Sequence, residues 1–318
     1  MSHLSTQRAC ELDPMSQQHR WLIEGLWTDQ AVGVIGGEPK CFKSFLALDL
    51  AVAVASGGEC LSRYPTEQNG PVLLFPGEDA LHIVRQRIEG IARARHVPFQ
   101  GLEVHVITEP SLRIDLEVQR QRLRQAVDRL RPRLLILDPF VRTHRADENV
   151  VAEVAPLLAY LRELQRQFQV AVLLVHHARK AHHTRPGQAL RGSTELHAWL
   201  DSALYLRRKN DRVQLTIEHR SAPEPSPLLL QLDDDQGAAA LRVVEHIHEQ
   251  PEPSRGMVSP RDRILQALAS APVPMTQRTL RDAARMRAAT VGNILADLIA
   301  EGRVTEDAGG YRLSVRMA

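Results

Sequence analysis

At 318 residues, 43% hydrophobic and 25% charged, the chain has room for one large domain and a small one and the balance of a globular protein, which argues against a disulfide-stapled mini-scaffold, wholesale disorder and a membrane bundle. Three scattered cysteines, Cys10, Cys41 and Cys60, make no disulfide framework and point to a reducing compartment. Net charge is only +2, yet residues 255–318 hold ten Arg, no Lys and six Asp or Glu, a basic surplus that is either a first hint of a nucleic-acid partner or simply an Arg-rich surface.

Residues 1–20 form a polar leader without the apolar segment of a secretory signal. The longest apolar tract, 45–55, is broken by Asp49 and too short to span a bilayer, so a cytoplasmic protein with no membrane partner is expected. Residues 31–35 read as a buried strand, 36–42 as a Gly/Pro-bearing loop and 43–56 as an Ala/Leu-rich helix. Short apolar runs follow at 71–75, 104–107, 134–137, 170–175, 202–206 and 213–217, with helical patterns at 81–94, 117–130 and 150–168 between them. Continuous apolar strands alternating with helices predict an α/β domain over 21–248, its mostly parallel sheet covered on both faces.

Residues 249–260 collect Pro and Gly with little apolar content and read as a linker. Beyond it, Ile264, Leu265 and Leu268 mark one helix, Thr276 caps a second running through Ala284, and Val291, Ile294, Leu295, Leu298 and Ile299 give the buried face of a third. Two short strands around Gly309-Gly310 complete the layout of a winged helix-turn-helix over 261–318. In that layout Arg287, Thr290 and Asn293 approach bases, and Arg303 or Arg312 a phosphate; a protein-docking or ring-packing module fits the same pattern.

The chemistry concentrates in residues 37–44, GEPKCFKS, which has the spacing of G-x-x-x-x-G-K-[ST] with Phe42 at the second glycine. It stands between a buried strand and a helix start, where Gly37, Glu38, Pro39, Lys40, Cys41, Phe42 and the following Phe45 surround an anion, with backbone N–H groups from all of them but Pro39 available to face it. Lys43 reaches the β/γ-phosphates of ATP and the Ser44 hydroxyl ligates Mg²⁺. Lys40 is either added charge or a solvated loop lysine. Phe42 puts the loop's backbone freedom in question, because glycine tolerates positive φ far better.

The apolar strand 134–137 runs into Asp138, the pattern of a carboxylate that holds Mg²⁺ at a strand's C-terminal end. Another strand ends in Glu78 and Asp79: Glu78 is the candidate base for the attacking water, and Asp79 is expected to cap the next helix. The third strand delivers His176 and His177, with His182 and His183 close behind. No cysteine or carboxylate stands at metal-ligand spacing, so His177 reads as a γ-phosphate sensor or, in the alternative, one histidine is buried and the other exposed. The basic segment 179–191 suits a loop contacting phosphates, and Arg191 or Arg220 is either an arginine finger reaching a neighbour's γ-phosphate or a surface arginine.

Taken together, residues 21–27 (WLIEGLW), 36–58, 75–79 (FPGED), 137–140 (LDPF), 145–149 (RADEN), 174–180 (LVHHARK) and 191–194 (RGST) resemble, in order, a RecA-like P-loop ATPase. More narrowly they resemble the RepA-like group of plasmid and phage hexameric replicative helicases. The resemblance covers about residues 20–220 and implies a RecA-like core in a homo-oligomeric, hexameric ring. It implies ATP between subunits, Lys43 and Ser44 on phosphate and Mg²⁺, Glu78 as base, Asp138 on Mg²⁺ and His177 as sensor. The expected activity is an ATP-driven helicase or translocase on single-stranded DNA; the alternative is an ATP-gated regulator binding duplex DNA through the C-terminal unit. Aromatics are only 4% of the chain and absent between Phe168 and Trp199, so phosphate contacts rather than stacking would dominate binding.

Overall fold

The computed structural model describes residues 6–11, 21–177, 194–209, 212–235, 237–246, 260–271, 273–284, 288–307 and 309–314. The basic segment 179–191, with Arg191, and Arg287 lie outside them. The chain divides into two compact units, Met1–His248 and Glu249–Ala318.

In the first unit a short antiparallel pair, β1 (Trp21–Ile23) and β2 (Trp27–Thr28), precedes β3 (Val32–Gly37) and α1 (Lys43–Ser56). A second small pair, β4 (Glu59–Cys60) and β5 (Tyr64–Pro65), is followed by β6 (Val72–Pro76), α2 (Leu81–Ala94), β7 (Val104–Val106), α3 (Glu117–Leu130), β8 (Leu134–Asp138), α4 (Val151–Phe168) and β9 (Ala171–His177). After α5 (Thr194–Trp199) come β10 (Ser202–Lys209), β11 (Arg212–His219), β12 (Leu228–Asp235) and β13 (Ala238–His246). The main sheet has nine strands in the order β13-β12-β11-β10-β3-β9-β8-β6-β7. From β10 to β7 neighbours run parallel, and β10 to β13 form an antiparallel meander. The sequence reading stops the sheet at residue 217; β12 and β13 extend it.

The parallel strands are buried on both faces because helices cover each side. Leu173 and Val175 of β9 join Leu46 and Leu50 of α1 in one core, whereas Val172 and Leu174 join Leu161 and Leu164 of α4 in the other. Each such fully buried Leu or Val contributes about 1.5–3 kcal/mol. The alternation continues to the strand's end, so His176 and His177 project to opposite faces. Helix α1 is apolar nearly all round because it sits between sheet and α2. Its buried charge beyond the first turn is Asp49, 1% exposed, which is bound by Arg95 and accepts from the Leu61 amide at 3.2 Å. Burial pushes the Asp49 carboxyl up, and Arg95 opposes it. Arg95 also donates to the Leu241 carbonyl at 2.7 Å and to Ser62 at 2.6 Å.

The second unit holds α6 (Pro260–Ser270), α7 (Gln277–Ala284), α8 (Ala288–Ala300) and the hairpin β14 (Val304–Asp307) and β15 (Gly310–Leu313). The Thr276 hydroxyl accepts from the Thr279 amide at 3.2 Å, the capping bond its position predicts. Ile264, Leu268, Leu280, Val291, Leu295 and Leu298 form its core. Ile299, expected on the buried face, is 38% exposed, because Leu295 and Leu298 already fill the seam. Met275 bridges to Tyr311 and adds one more rung beside the hairpin.

Candidate active site

The parallel register brings the strand ends of interest to one edge. Gly37 pairs with His177, and Pro76 with Asp138. A cavity of about 430 Å³ opens there, lined by the loop 40–45 and by Glu78, Asp79, Arg87, Asp138 and His177. The carboxyl edge of a parallel sheet is where the loops diverge and leave room for a ligand.

The loop between β3 and α1 is held by close packing. A Cβ on Gly37 would lie 2.4 Å from the Leu206 carbonyl oxygen and 2.8 Å from Cys41 Sγ, so no other residue fits. Lys40 (φ 62°) and Phe42 (φ 65°) both adopt the left-handed conformation. The position that sequence questioned does require positive φ, and phenylalanine holds it at a cost of about 1–2 kcal/mol. Phe42 is the N-cap of α1 and makes no side-chain capping bond, so the first N–H groups of α1 are not satisfied by a side-chain cap at the helix N-terminus beside the cavity.

Lys43 is 6% exposed, and its Nζ donates to the Glu38 carbonyl at 2.7 Å and lies 3.9 Å from Cys41 Sγ. Cys41 Sγ donates to the same carbonyl at 2.8 Å. Burial lowers the Lys43 pKa, opposed by Cys41, Asp138 and Glu78. Burial likewise pushes the Cys41 thiol up, which keeps it un-ionised and poorly nucleophilic.

Asp138 ends β8, and burial pushes its carboxyl up to about 6, with Asp79 and Glu78 adding to the shift and the Ser44 hydroxyl and Lys43 opposing it. A desolvated carboxylate bonded to a serine hydroxyl is a pair of hard oxygen donors short of positive charge. That donor set fits Mg²⁺, which takes one or two protein oxygens and fills its octahedron with phosphate and water. The Gly77 amide donates to the Asp138 carbonyl at 2.6 Å and ties the Glu78 turn to the end of β8.

Glu78, 44% exposed at its side chain, accepts from Arg142 Nε at 2.9 Å. Asp79 does not cap α2; Ala80 stands at the cap, and Asp79 instead binds Arg87 of α2. Arg87 lies over the Phe45 ring at 5.1 Å, and Phe45 meets Phe42 edge-on at 6.3 Å. Arg87 and Arg142 belong to this site and were missed in the sequence, where neither ends a strand nor completes a motif. His177 lines the cavity while His176, 2% exposed, turns to the opposite core. Among the described residues no group of three or more His, Cys, Asp or Glu is arranged to hold a metal.

Arg220 is not brought to the cavity. It follows β11 at the amino end of the parallel strands, where its Nη1 lies 3.3 Å from Asp201 and its Nη2 donates to the Ala198 carbonyl. Asp201 also accepts from the Val32 amide at 3.2 Å and from Arg162 at 2.5 Å, so this edge is a closed ionic knot. No helix among the described residues is long and apolar enough to cross a membrane.

A family model described as an AAA domain matches residues 2–183, more than half of the chain. Among solved structures, the RadB recombinase superposes with a TM-score of 0.50 at 17% identity, covering 68% of this chain and 92% of that one. A DnaB-like replicative helicase, solved to describe its interactions with primase, gives a TM-score of 0.53 at 15% identity, covering 68% of this chain and 58% of that one. At those identities the likeness is one of fold: the first unit is a RecA-like P-loop core.

Proposed function

Because the chain belongs to the AAA domain family, we propose that it is a Mg²⁺-dependent ATPase that assembles into a homo-oligomeric, hexameric ring and works on DNA as a replicative or mobile-element helicase or translocase. One observation carries this reading: Lys43, Ser44, Glu78, Asp138 and His177, from three strand ends and a helix start, line one cavity. The fold likeness to a DnaB-like replicative helicase and the sequence resemblance to the RepA-like group favour DNA as the partner.

ATP binds with its phosphates against the backbone N–H groups of residues 40–44 at the start of α1. Lys43 exchanges the Glu38 carbonyl for phosphate oxygens, an exchange made easier because burial already disfavours its ammonium. Ser44 and Asp138 hold Mg²⁺, which when bound draws charge from the phosphate oxygens. Glu78 accepts a proton from water as the water oxygen bonds to the γ-phosphorus and the β–γ bridging bond breaks. For that, Glu78 must release Arg142. His177 donates to the γ-phosphate and registers its loss. Of the two arginines expected to reach a neighbouring subunit, Arg220 is engaged by Asp201 and the Ala198 carbonyl, so Arg191 takes the trans role.

The second reading, an ATP-gated regulator, rests on the C-terminal unit of three helices and a hairpin, read as a winged helix. Thr290 and Asn293 are exposed on α8, but α8 itself carries no Lys or Arg to grip phosphates. The deciding experiment is steady-state ATPase of the wild type and Lys43→Ala, each with and without single-stranded DNA of mixed sequence. Lys43-dependent turnover that rises several-fold with single strands supports the translocase. Turnover indifferent to single strands overturns it and favours the regulator, whose test is selection of a preferred duplex.

A further inference from the structure

Behind the strand end that carries His177 lies a buried set of titratable side chains that the hydrolysis scheme does not use. His176 turns away from the cavity, and its Nε2 stands 3.3 Å from Glu148 Oε1. The same oxygen is 3.8 Å from Nε2 of His144, whose side chain has no exposed surface. The His144 ring packs on Phe140 with centroids 4.5 Å apart, and Phe140 follows Asp138 by two residues. Glu148 is itself only 14% exposed and belongs to a pinned loop: the neighbouring Asp147 amide donates to Glu153 at 2.8 Å and the Asn149 amide to Asp147 at 2.9 Å.

One carboxylate oxygen therefore packs against the segment leaving β8, which carries the Mg²⁺ ligand, and against the end of β9, which carries the sensor; its 3.8 Å approach to His144 is a packing contact, not a hydrogen bond. For stability alone, an apolar side chain of similar volume would serve at least as well, since a desolvated charge is costly to bury. We propose that Glu148 is a positioning residue for hydrolysis, its carboxylate linking His144 to His176 so that the Asp138 segment and His177 keep one fixed spacing. This rests on the ATPase reading above, with His177 at the γ-phosphate. A rigid spacing matters because misplacement of a reacting or sensing group by about an ångström costs on the order of a hundredfold in rate.

The test is the ATPase kinetics of Glu148→Ala and Glu148→Gln, alone and combined with His177→Ala, alongside the wild type and the affinity of a fluorescent ATP analogue. Removing a supporting partner behind a site costs roughly 10–100-fold, so Glu148→Ala is expected to lower kcat at least about tenfold with KM and analogue affinity within about twofold. Glu148→Gln, which keeps the shape and one acceptor, is expected to recover most of the rate and to fold even if the alanine variant does not. In the His177→Ala background the alanine change is expected to cost less than about twofold, because the group it positions is gone. Wild-type kcat in Glu148→Ala, a full independent loss on top of His177→Ala, or a glutamine variant no better than alanine each overturns the proposal. Absence of Lys43-dependent turnover in the wild type overturns the ATPase reading and the positioning role with it; turnover there with an unaffected Glu148→Ala overturns the positioning role alone.

Discussion

The two edges of the main sheet treat charge in opposite ways. At the amino edge Asp201 is shared by Arg162, Arg220 and the Val32 amide, so each charge there has a partner. At the carboxyl edge a buried lysine is held by a carbonyl, a buried carboxyl is pushed up to about 6, and two non-glycine residues sit at positive φ. The first edge is settled within the chain, whereas the second becomes electrostatically complete when a polyanion and a cation arrive. Strain and desolvation of this kind persist where the surrounding fold over-determines them, as functional sites require. Spacing in the sequence already sets Lys43 apart, but Arg220 is there only a basic residue after a strand; its partners, Asp201 and the Ala198 carbonyl, place it at the settled edge.

The largest expected effect is on turnover: Lys43→Ala should lower ATPase activity by at least about a hundredfold, the scale for losing a main charge-stabilising donor. Thermal unfolding without nucleotide should change little, because the lysine is desolvated there; a large loss of stability with unchanged turnover would dissolve the contrast between the edges.

The second effect is a pH slope. A carboxyl whose native pKa is about 6 against 3.8 unfolded binds its proton more tightly when folded. The metal-free protein should therefore lose stability as pH rises from about 4 to past 6, by roughly 3 kcal/mol at about 1.4 kcal/mol per pKa unit. Asp138→Asn should flatten that slope in melts recorded in chelator, and Mg²⁺ with nucleotide should flatten it in the wild type alone.

At the opposite edge, Asp201→Ala strips the partner from Arg162 and Arg220. Both arginines are partly exposed, so the loss in denaturant titrations should be about 2 kcal/mol, below that for a fully buried pair. Turnover per folded molecule should stay at the wild-type level, and Arg220→Ala should behave likewise with a smaller loss. A fall in turnover for Arg220→Ala at unchanged stability would move the trans role from Arg191 to Arg220.

The smallest effect concerns Phe42. Glycine there relieves about 1–2 kcal/mol of left-handed strain but removes the edge contact with Phe45, worth about 0.5–1.5 kcal/mol, so the melting midpoint should barely move. The informative readout is turnover, expected within a few-fold of the wild type; a large gain would make Phe42 a brake on hydrolysis.

Much of this was legible in the chain. Helices 43–56, 81–94 and 117–130 match the observed bounds because apolar periodicity and breakers mark both ends. Lys43 and Ser44 could be picked from the spacing of residues 37–44, and Glu78, Asp138 and His177 because each ends or follows an apolar strand and parallel strands deliver their ends to one edge. The antiparallel extension was hidden: Asp233, Asp234 and Asp235 look like a solvated run, although Leu228, Leu230 and Leu241 pack inward. Arg87, Arg142 and the approach of His144 and Glu148 to His176 were hidden for another reason. These four residues reach their positions through space, from a helix face and from the segment after β8, and no local pattern encodes that approach.

The Arg95 clamp has a consequence for how the protein can be cut. One guanidinium serves Asp49, in the helix that begins at the phosphate loop, and the Leu241 carbonyl in the last strand of the meander. Gly90 of α2 likewise lies so near that hairpin that a Cβ would meet the Gly237 oxygen at 3.0 Å. A shortened chain that keeps every residue of the nucleotide site but stops before β12 would bare the flank of α1 and α2 and leave a buried cation short of an acceptor. The smallest autonomous piece is thus set by a strand pair remote from the chemistry, and a protein engineer seeking a minimal nucleotide-binding fragment has to carry the chain through residue 246.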